Sequence, residues 1–249
     1  MPHPIPLSAP RQPNRLAILS VLFFTTITLA PAQSPLSSAE IIQKIDQSVA
    51  HREQSVSAYT VQELYTIYRN GDAAPAAQVT VQTTYTRATG KDYKPVSATG
   101  SSLMRSVVIN HILSEEKEMA AATNRPSVIL TSANYQMTPE PGAATWNNHP
   151  CVIVDLKARR KTSYLFNGKA WFDAHDFTLV HIEGSPAASP SFFAGQTAGK
   201  RDYTKVEGFS MAQHAEIQSH SRLFGTTFLK IDYTNYHLQL DQPPAHAAE

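Results

Sequence analysis

From Tyr59 onward apolar and polar residues alternate with a period of two. Tyr59, Val61, Tyr65 and Ile67 fall on one face of a strand ending near Arg69, and Val79, Val81 and Tyr85 share a face opposite Gln78, Thr80, Gln82 and Thr84. That alternation marks antiparallel sheet with one covered side and one wet side. The stretch 151–184 continues it as a meander. Val152, Val154 and Leu156 alternate with Ile153, Asp155 and Lys157, then Tyr164 to Phe166 runs into Asn167-Gly168, a dipeptide that predicts a type I′ hairpin turn. A strand carrying Trp171 and Phe172 follows, His175-Asp176 supplies a turn, and 179–183 alternates again with Val180 and Ile182 on one face. Three more strands are predicted at 203–206, 212–223 and 226–236, turning at Glu207-Gly208 and Phe224-Gly225. Tyr135 and Met137 open a further strand before Pro139, and 128–130 fits either a helical turn or a strand.

Two stretches have helical spacing instead. Ser37 followed by Glu40 forms a capping box, and Ile41, Ile42, Ile45 and Val49 then recur at helical intervals, predicting an amphipathic helix over 38–52. The second helix is expected over 102–122, with Leu103, Val107 and Val108 clustered and Ile112, Leu113 and Met119 continuing along it. Its acidic end, with Glu115, Glu116 and Glu118, opposes the helix dipole and predicts a frayed last turn. Between the early strands and this helix, 90–100 is rich in turn residues and predicts no more than a short edge strand at 93–96. The segment 185–199 reads as a loop carrying Phe192-Phe193.

A chain of 249 residues with 42% hydrophobic and 16% charged residues fits one large β-rich domain better than two. The first 32 residues stand apart. Arg11 and Arg15 precede an apolar run, 16–30, that closes on Ala30-Pro31-Ala32, the small-x-small pattern of signal-peptidase cleavage. The run falls short of the roughly 20 residues a spanning helix needs. The expectation is a secretory leader over 1–32, a mature chain from Gln33, and a periplasmic location. Loss of the two leader arginines takes the formal charge from +1 to slightly negative, which argues against nucleic acid as a partner; the dense basic run at Lys157, Arg159, Arg160 and Lys161 reads as a solvated turn. Cys151 is the one cysteine, so no disulfide is available and the thiol reads as a buried strand residue. The ten histidines match no metal-ligand spacing, and His214, Glu216, Gln218, His220 and Arg222 read as the wet face of a strand. No nucleophile elbow, zinc-protease motif or glycine-rich phosphate loop is present, so neither catalysis nor a metal or cofactor is expected.

Leader, amphipathic helix, long strands, central apolar helix, a meander bearing N-G-x-x-W-F-D (167–173) and a closing hairpin with G-x-x-x-x-x-I-D-Y (225–233) together form a recognisable order. It resembles the LolA/LolB-like family of periplasmic lipoprotein carriers, the outer-membrane lipoprotein-sorting group. The resemblance implies an α+β fold over 33–240, a strongly curved antiparallel sheet or incomplete β-barrel with helices over its concave face, followed by a disordered tail at 241–249. It also implies an apolar groove that admits acyl chains of lipids or lipidated proteins. Val61, Tyr65, Val81, Tyr85, Leu103, Val107, Val108, Phe172, Ile182, Leu229 and Ile231 are the residues assigned to that groove. The partners so implied are a lipoprotein or lipid and a membrane-bound donor or acceptor protein. The alternative is a regulatory module of the same fold that reads lipoproteins and contacts a membrane protein.

Overall fold

A computed structural model describes residues 36–189, 195–221 and 225–241. The leader expected over 1–32, Phe192-Phe193, Arg222, Phe224 and the tail beyond Asp241 lie outside the described residues. The strands are β1 (Val56–Arg69), β2 (Ala77–Thr86), β3 (Gly90–Gly100), β4 (Tyr135–Pro139), β5 (Ala144–Trp146), β6 (His149–Ala158), β7 (Phe166–Asp173), β8 (Leu179–Pro186), β9 (Thr197–Val206), β10 (Phe209–Ser221) and β11 (Gly225–Leu240). They form one antiparallel sheet in the order β3-β2-β1-β11-β10-β9-β8-β7-β6-β4, with β5 paired beside β4 on β6. The first and last long strands are neighbours, paired from Val56↔Leu240 to Arg69↔Thr227 with register shifts at Val56/Ala58 and Thr60/Gln62. The sheet does not close, and β3 and β4 are its edges. With two helices on one face it is an α+β fold built on a curved, open sheet, as expected.

Helix α1 spans Ser38–Ser55. Its capping box is made: the Ser37 hydroxyl accepts from the Glu40 N–H at 3.3 Å, and the Glu40 carboxylate accepts from the Ser37 N–H at 2.8 Å. Ile45 is fully buried against Tyr135, Met137, Val154, Leu156 and Phe172, so α1 covers the β4-β6-β7 end of the sheet. Helix α2 is α-helical over Ser102–Met104, π-helical over Arg105–Ile109 and α-helical again over Asn110–Ala120. It packs Met104, Val108, Ile109 and Ile112 on β1, β2, β10 and β11.

Several turns differ from expectation. Asn167-Gly168 is not a hairpin turn but lies inside β7, where Gly168 pairs with Gly184 of β8, which pairs in turn with Gly199 of β9. The two-residue turns with positive φ at both positions are Asn147-Asn148, joining β5 to β6, and Glu207-Gly208, joining β9 to β10. Gly168 is needed for close approach instead. A Cβ there would collide with the Glu183 carbonyl and lie 2.6 Å from Gly184 Cα; one on Gly184 would collide with the Asn167 carbonyl and lie 2.9 Å from Gly168 Cα. Bare backbone along this row lets the sheet curl. Gly184→Ala is therefore expected to destabilise the protein by ~1–3 kcal/mol or more, since only backbone could give way; urea unfolding measures it.

The turn-rich stretch 90–100 is strand along its whole length. As an edge it needs a hydrogen-bond ladder on one flank alone, and Pro95 sits opposite Val81 at a register shift, where its missing N–H costs little. In β8 a shift between Trp171 and Phe172 makes Val180 the extra residue, so Leu179 and Ile182 pack on the core rather than Val180 with Ile182. The segment after α2 is a 3-10 turn at Arg125–Ser127, not a strand.

Candidate functional site

The inner face of the sheet carries two apolar clusters, one under each helix, and a line of charged and phenolic side chains between them. Glu63 enters from β1, Lys91 and Tyr93 from β3, Glu116 from α2, Arg201 from β9 and Tyr233 from β11. Lys91 Nζ lies 2.6 Å from Glu116 Oε2 and 3.9 Å from Glu63 Oε1, and Arg201 Nη2 lies 3.2 Å from Glu116 Oε1. Tyr93 donates to Glu116 Oε2 at 3.1 Å and Tyr65 to Glu63 Oε2 at 2.5 Å. The Arg201 guanidinium lies 5.9 Å from the centre of the Tyr233 ring.

Burial and pairing act on these groups in opposite directions. Desolvation pushes the Glu116 carboxyl up, but Lys91, Arg201 and the Tyr93 hydroxyl outweigh it and hold the group at about 2. Glu63 is fully buried; desolvation raises its pKa, with Lys91 opposing and Glu116 adding to the rise. Lys91 would be lowered by burial, yet the two carboxylates raise it well above its ordinary value. Within the seam, Glu63 Oε1 and the Tyr233 hydroxyl are buried with no hydrogen-bond partner among the described residues. Such atoms are uncommon in folded proteins and call for an explanation.

Both residues line a cleft of about 300 Å³ between α1 and the sheet. Arg52, Lys91 and Arg201 border the same cleft, and its apolar wall is Phe172, Phe177, Leu179, Phe209 and Met211. Above it, Glu53 of α1 is shared by Arg52 Nη1 and Arg125 Nε, each at 3.0 Å. A second cavity of about 320 Å³, bordered by Met119, Leu165, Ile182, Ala215 and Ile217, has Arg201 and Tyr203 in common with the first. The inner face thus offers two apolar cavities with a charged seam where they adjoin.

The groove residues expected from sequence are distributed unevenly. Val61, Tyr65, Val81, Tyr85, Val108, Leu229 and Ile231 are buried in the cluster under α2, packed on one another. Phe172 lines the first cavity and Ile182 the second. Leu103 is 56% exposed and joins neither, and Val107 is half-buried. The π turn sets this phase: Met104, Val108, Ile112 and Glu116 form the stripe that faces the sheet, turning Leu103 away. Sequence reasoning missed Glu63, Lys91, Glu116 and Arg201. Glu63 stands between Val61 and Tyr65 on an inward-facing stripe, and Glu116 lies four residues after Ile112 on the helix stripe, so both positions carried a signal. The helix continues past this acidic stretch to Ala120, with Glu116 bonded to two cations.

Elsewhere, Cys151 is buried, its thiol raised by burial and directed at the His149 carbonyl at 3.3 Å. Cys151→Ala is expected to cost about 1 kcal/mol and to leave ligand binding within a few-fold of the parent; thermal melting and probe titration check both. His214 sits on the outer face between Asp232 (2.6 Å) and Glu216 (3.2 Å) in a polar ladder. No cluster of three or more His, Cys, Asp or Glu able to hold a metal occurs among the described residues. Among them, no helix is long and apolar enough to cross a membrane.

Comparison with protein families returned no match, and no curated protein matches the chain. Solved structures similar to it include a LolA superfamily protein from Nitrosomonas europaea, at 9% identity over 86% of this chain and 99% of that one, with a TM-score of 0.44. A DUF1329 family protein from Desulfovibrio piger shares 10% identity over 84% and 96%, with a TM-score of 0.44. A domain from Vibrio parahaemolyticus described as an outer membrane lipoprotein-sorting protein shares 8% over 83% and 95%, with a TM-score of 0.48. At these identities and scores the fold and the site stand on this chain's own geometry.

Proposed function

We propose that the protein is a periplasmic carrier that holds the acyl chains of lipoproteins or lipids in the inner-face groove, acting in outer-membrane lipoprotein sorting without bond chemistry or a cofactor. The observation that supports this best is the cleft itself, walled by Phe172, Phe177, Leu179, Phe209 and Met211 beneath a helix at the mouth of an open sheet. Concave, mostly apolar sites with a few convergent polar groups are where small amphiphiles bind. At ~30 Å³ per methylene, similar to a water's share of liquid volume, the cleft's volume of about 300 Å³ corresponds to roughly ten methylenes. Burying ten contributes ~8 kcal/mol gross at ~0.8 each, a micromolar-scale affinity before ordering costs, which permits both capture and release. A membrane-bound donor or acceptor protein would complete such a cycle.

The test is mass spectrometry of lipid extracted from the exported protein, followed by titration of the delipidated protein with a fluorescent fatty acid. Co-purified acyl lipid and saturable probe uptake are expected. Neither lipid nor probe bound overturns the carrier reading, and a stable protein complex recovered without lipid moves it to the lipoprotein-reading regulatory module.

A further inference from the structure

We propose that the charged seam is a head-group subsite for a carboxylate: the anionic head of the ligand lies between Lys91, Arg201 and the Tyr233 hydroxyl, while its chain runs along Phe172, Phe177 and Leu179. The inference rests on the carrier reading above and narrows the ligand to a single-chain carboxylate amphiphile.

Three observations carry it. The Tyr233 hydroxyl is buried beside the cleft with no hydrogen-bond partner among the described residues, a donor whose burial costs free energy unless something entering the cleft meets it. Three cations, Arg52, Lys91 and Arg201, line the cleft with two carboxylates, Glu53 and Glu63. Arg201 also leaves 32% of its side chain accessible while its Nη2 is bonded to Glu116, and a guanidinium has five N–H donors in a fork that fits a carboxylate. The carboxylates that oppose an anion are Glu53 and Glu116, each paired with two cations, and Glu63, whose Oε1 lies 3.9 Å from Lys91. Burial raises the pKa of Glu63 while Lys91 opposes the rise, so this carboxyl is the group whose removal should favour an anion. The cleft, about 300 Å³, has room for one chain of roughly eight to ten carbons with a small head.

The experiment is displacement of a fluorescent fatty acid from the delipidated protein by decanoate, decan-1-ol and decylamine, below their micelle-forming concentrations. Decanoate is expected to bind about tenfold tighter than the other two, the scale of one charge-assisted hydrogen bond. Tyr233→Phe, which removes one oxygen, should weaken decanoate severalfold and leave decan-1-ol unchanged. Glu63→Gln should retain or tighten decanoate. Arg201→Gln should abolish the preference for decanoate, with circular dichroism reporting that it is folded. Equal binding of decanoate and decan-1-ol overturns the head-group subsite and leaves the carrier reading standing. Tighter decylamine shows that the seam selects cations and also overturns it, as does loss of decanoate binding in Glu63→Gln. Failure of all three to displace a bound probe sinks the subsite, and failure of the probe itself to bind sinks the carrier reading with it.

Discussion

Glu116→Ala is expected to lower the melting temperature by about 10 °C, because it strands two cations at once. Lys91 and Arg201 reach the inner face from β3 and β9 and meet on this one carboxylate, whose side chain is 8% exposed. Breaking a buried pair by removing one partner costs ~3–5 kcal/mol, since the remaining charge stays desolvated without compensation. For a domain of this size each kilocalorie corresponds to ~2–4 °C. The same group predicts an acid limb. Its folded pKa, about 2, lies below the unfolded value of ~4.3, so its contribution is fully present above about pH 5 and is lost as pH falls toward 2. Urea unfolding from pH 6 to pH 2.5 should show the parent losing stability through this window and the variant losing less. Equal slopes, or a melting temperature within 2 °C of the parent, would mean that the seam does not hold α2 to the sheet.

Val108→Glu is expected to unfold the protein. The side chain is 2% exposed and packed among residues of β1, β2, β10 and β11. An unpaired carboxylate there costs several kcal/mol whether or not a ligand is present, enough to consume much of a typical stability of ~5–15 kcal/mol. Sequence alone places Val108 in the groove, where an empty site would leave the charge hydrated; in the structure it is packed in the cluster under α2. Leu103→Glu is the control, expected to shift stability by no more than ~0.5 kcal/mol because that residue is 56% exposed. Far-UV circular dichroism and thermal melting of both variants decide it. A folded Val108→Glu with normal melting would show that this stripe of α2 is not part of the core.

Much of the architecture is legible from neighbouring residues. Ser37 and Glu40 announce the start of α1 because both halves of a capping box lie within one helical turn. Period-two alternation places Tyr59, Val61, Tyr65 and Ile67 inward on β1 without knowledge of what they face. Glycine is where this local reading fails. Asn167-Gly168 has the composition of a turn, yet Gly168 is small because Gly184 and Glu183 come from a strand that the dipeptide does not encode. The β3 strand fails for the converse reason: its lysines, aspartate and proline speak against a strand in the middle of a sheet, and nothing within 90–100 says that it is an edge.

The candidate site is the least legible part. Part of its apolar wall could be read from alternation: Phe172 and Ile182, assigned to the groove, line the cavities, whereas Phe177, Phe209 and Met211 were not assigned. The seam could not. Glu63, Lys91, Glu116, Arg201 and Tyr233 come from five elements scattered from β1 to β11, and each taken singly is a charge or phenol at an inward position with no visible partner. The sequence by itself determined periodicity, helix starts, the inward faces of the strands and an antiparallel class, because those follow from interactions spanning a few residues. Only the tertiary structure decided that β1 lies against β11, that the π turn in α2 aims Glu116 rather than Leu103 at the sheet, and that two cations share that carboxylate. Those outcomes depend on distances between segments far apart in the chain, which are set when the sheet curls and its inner face must be covered.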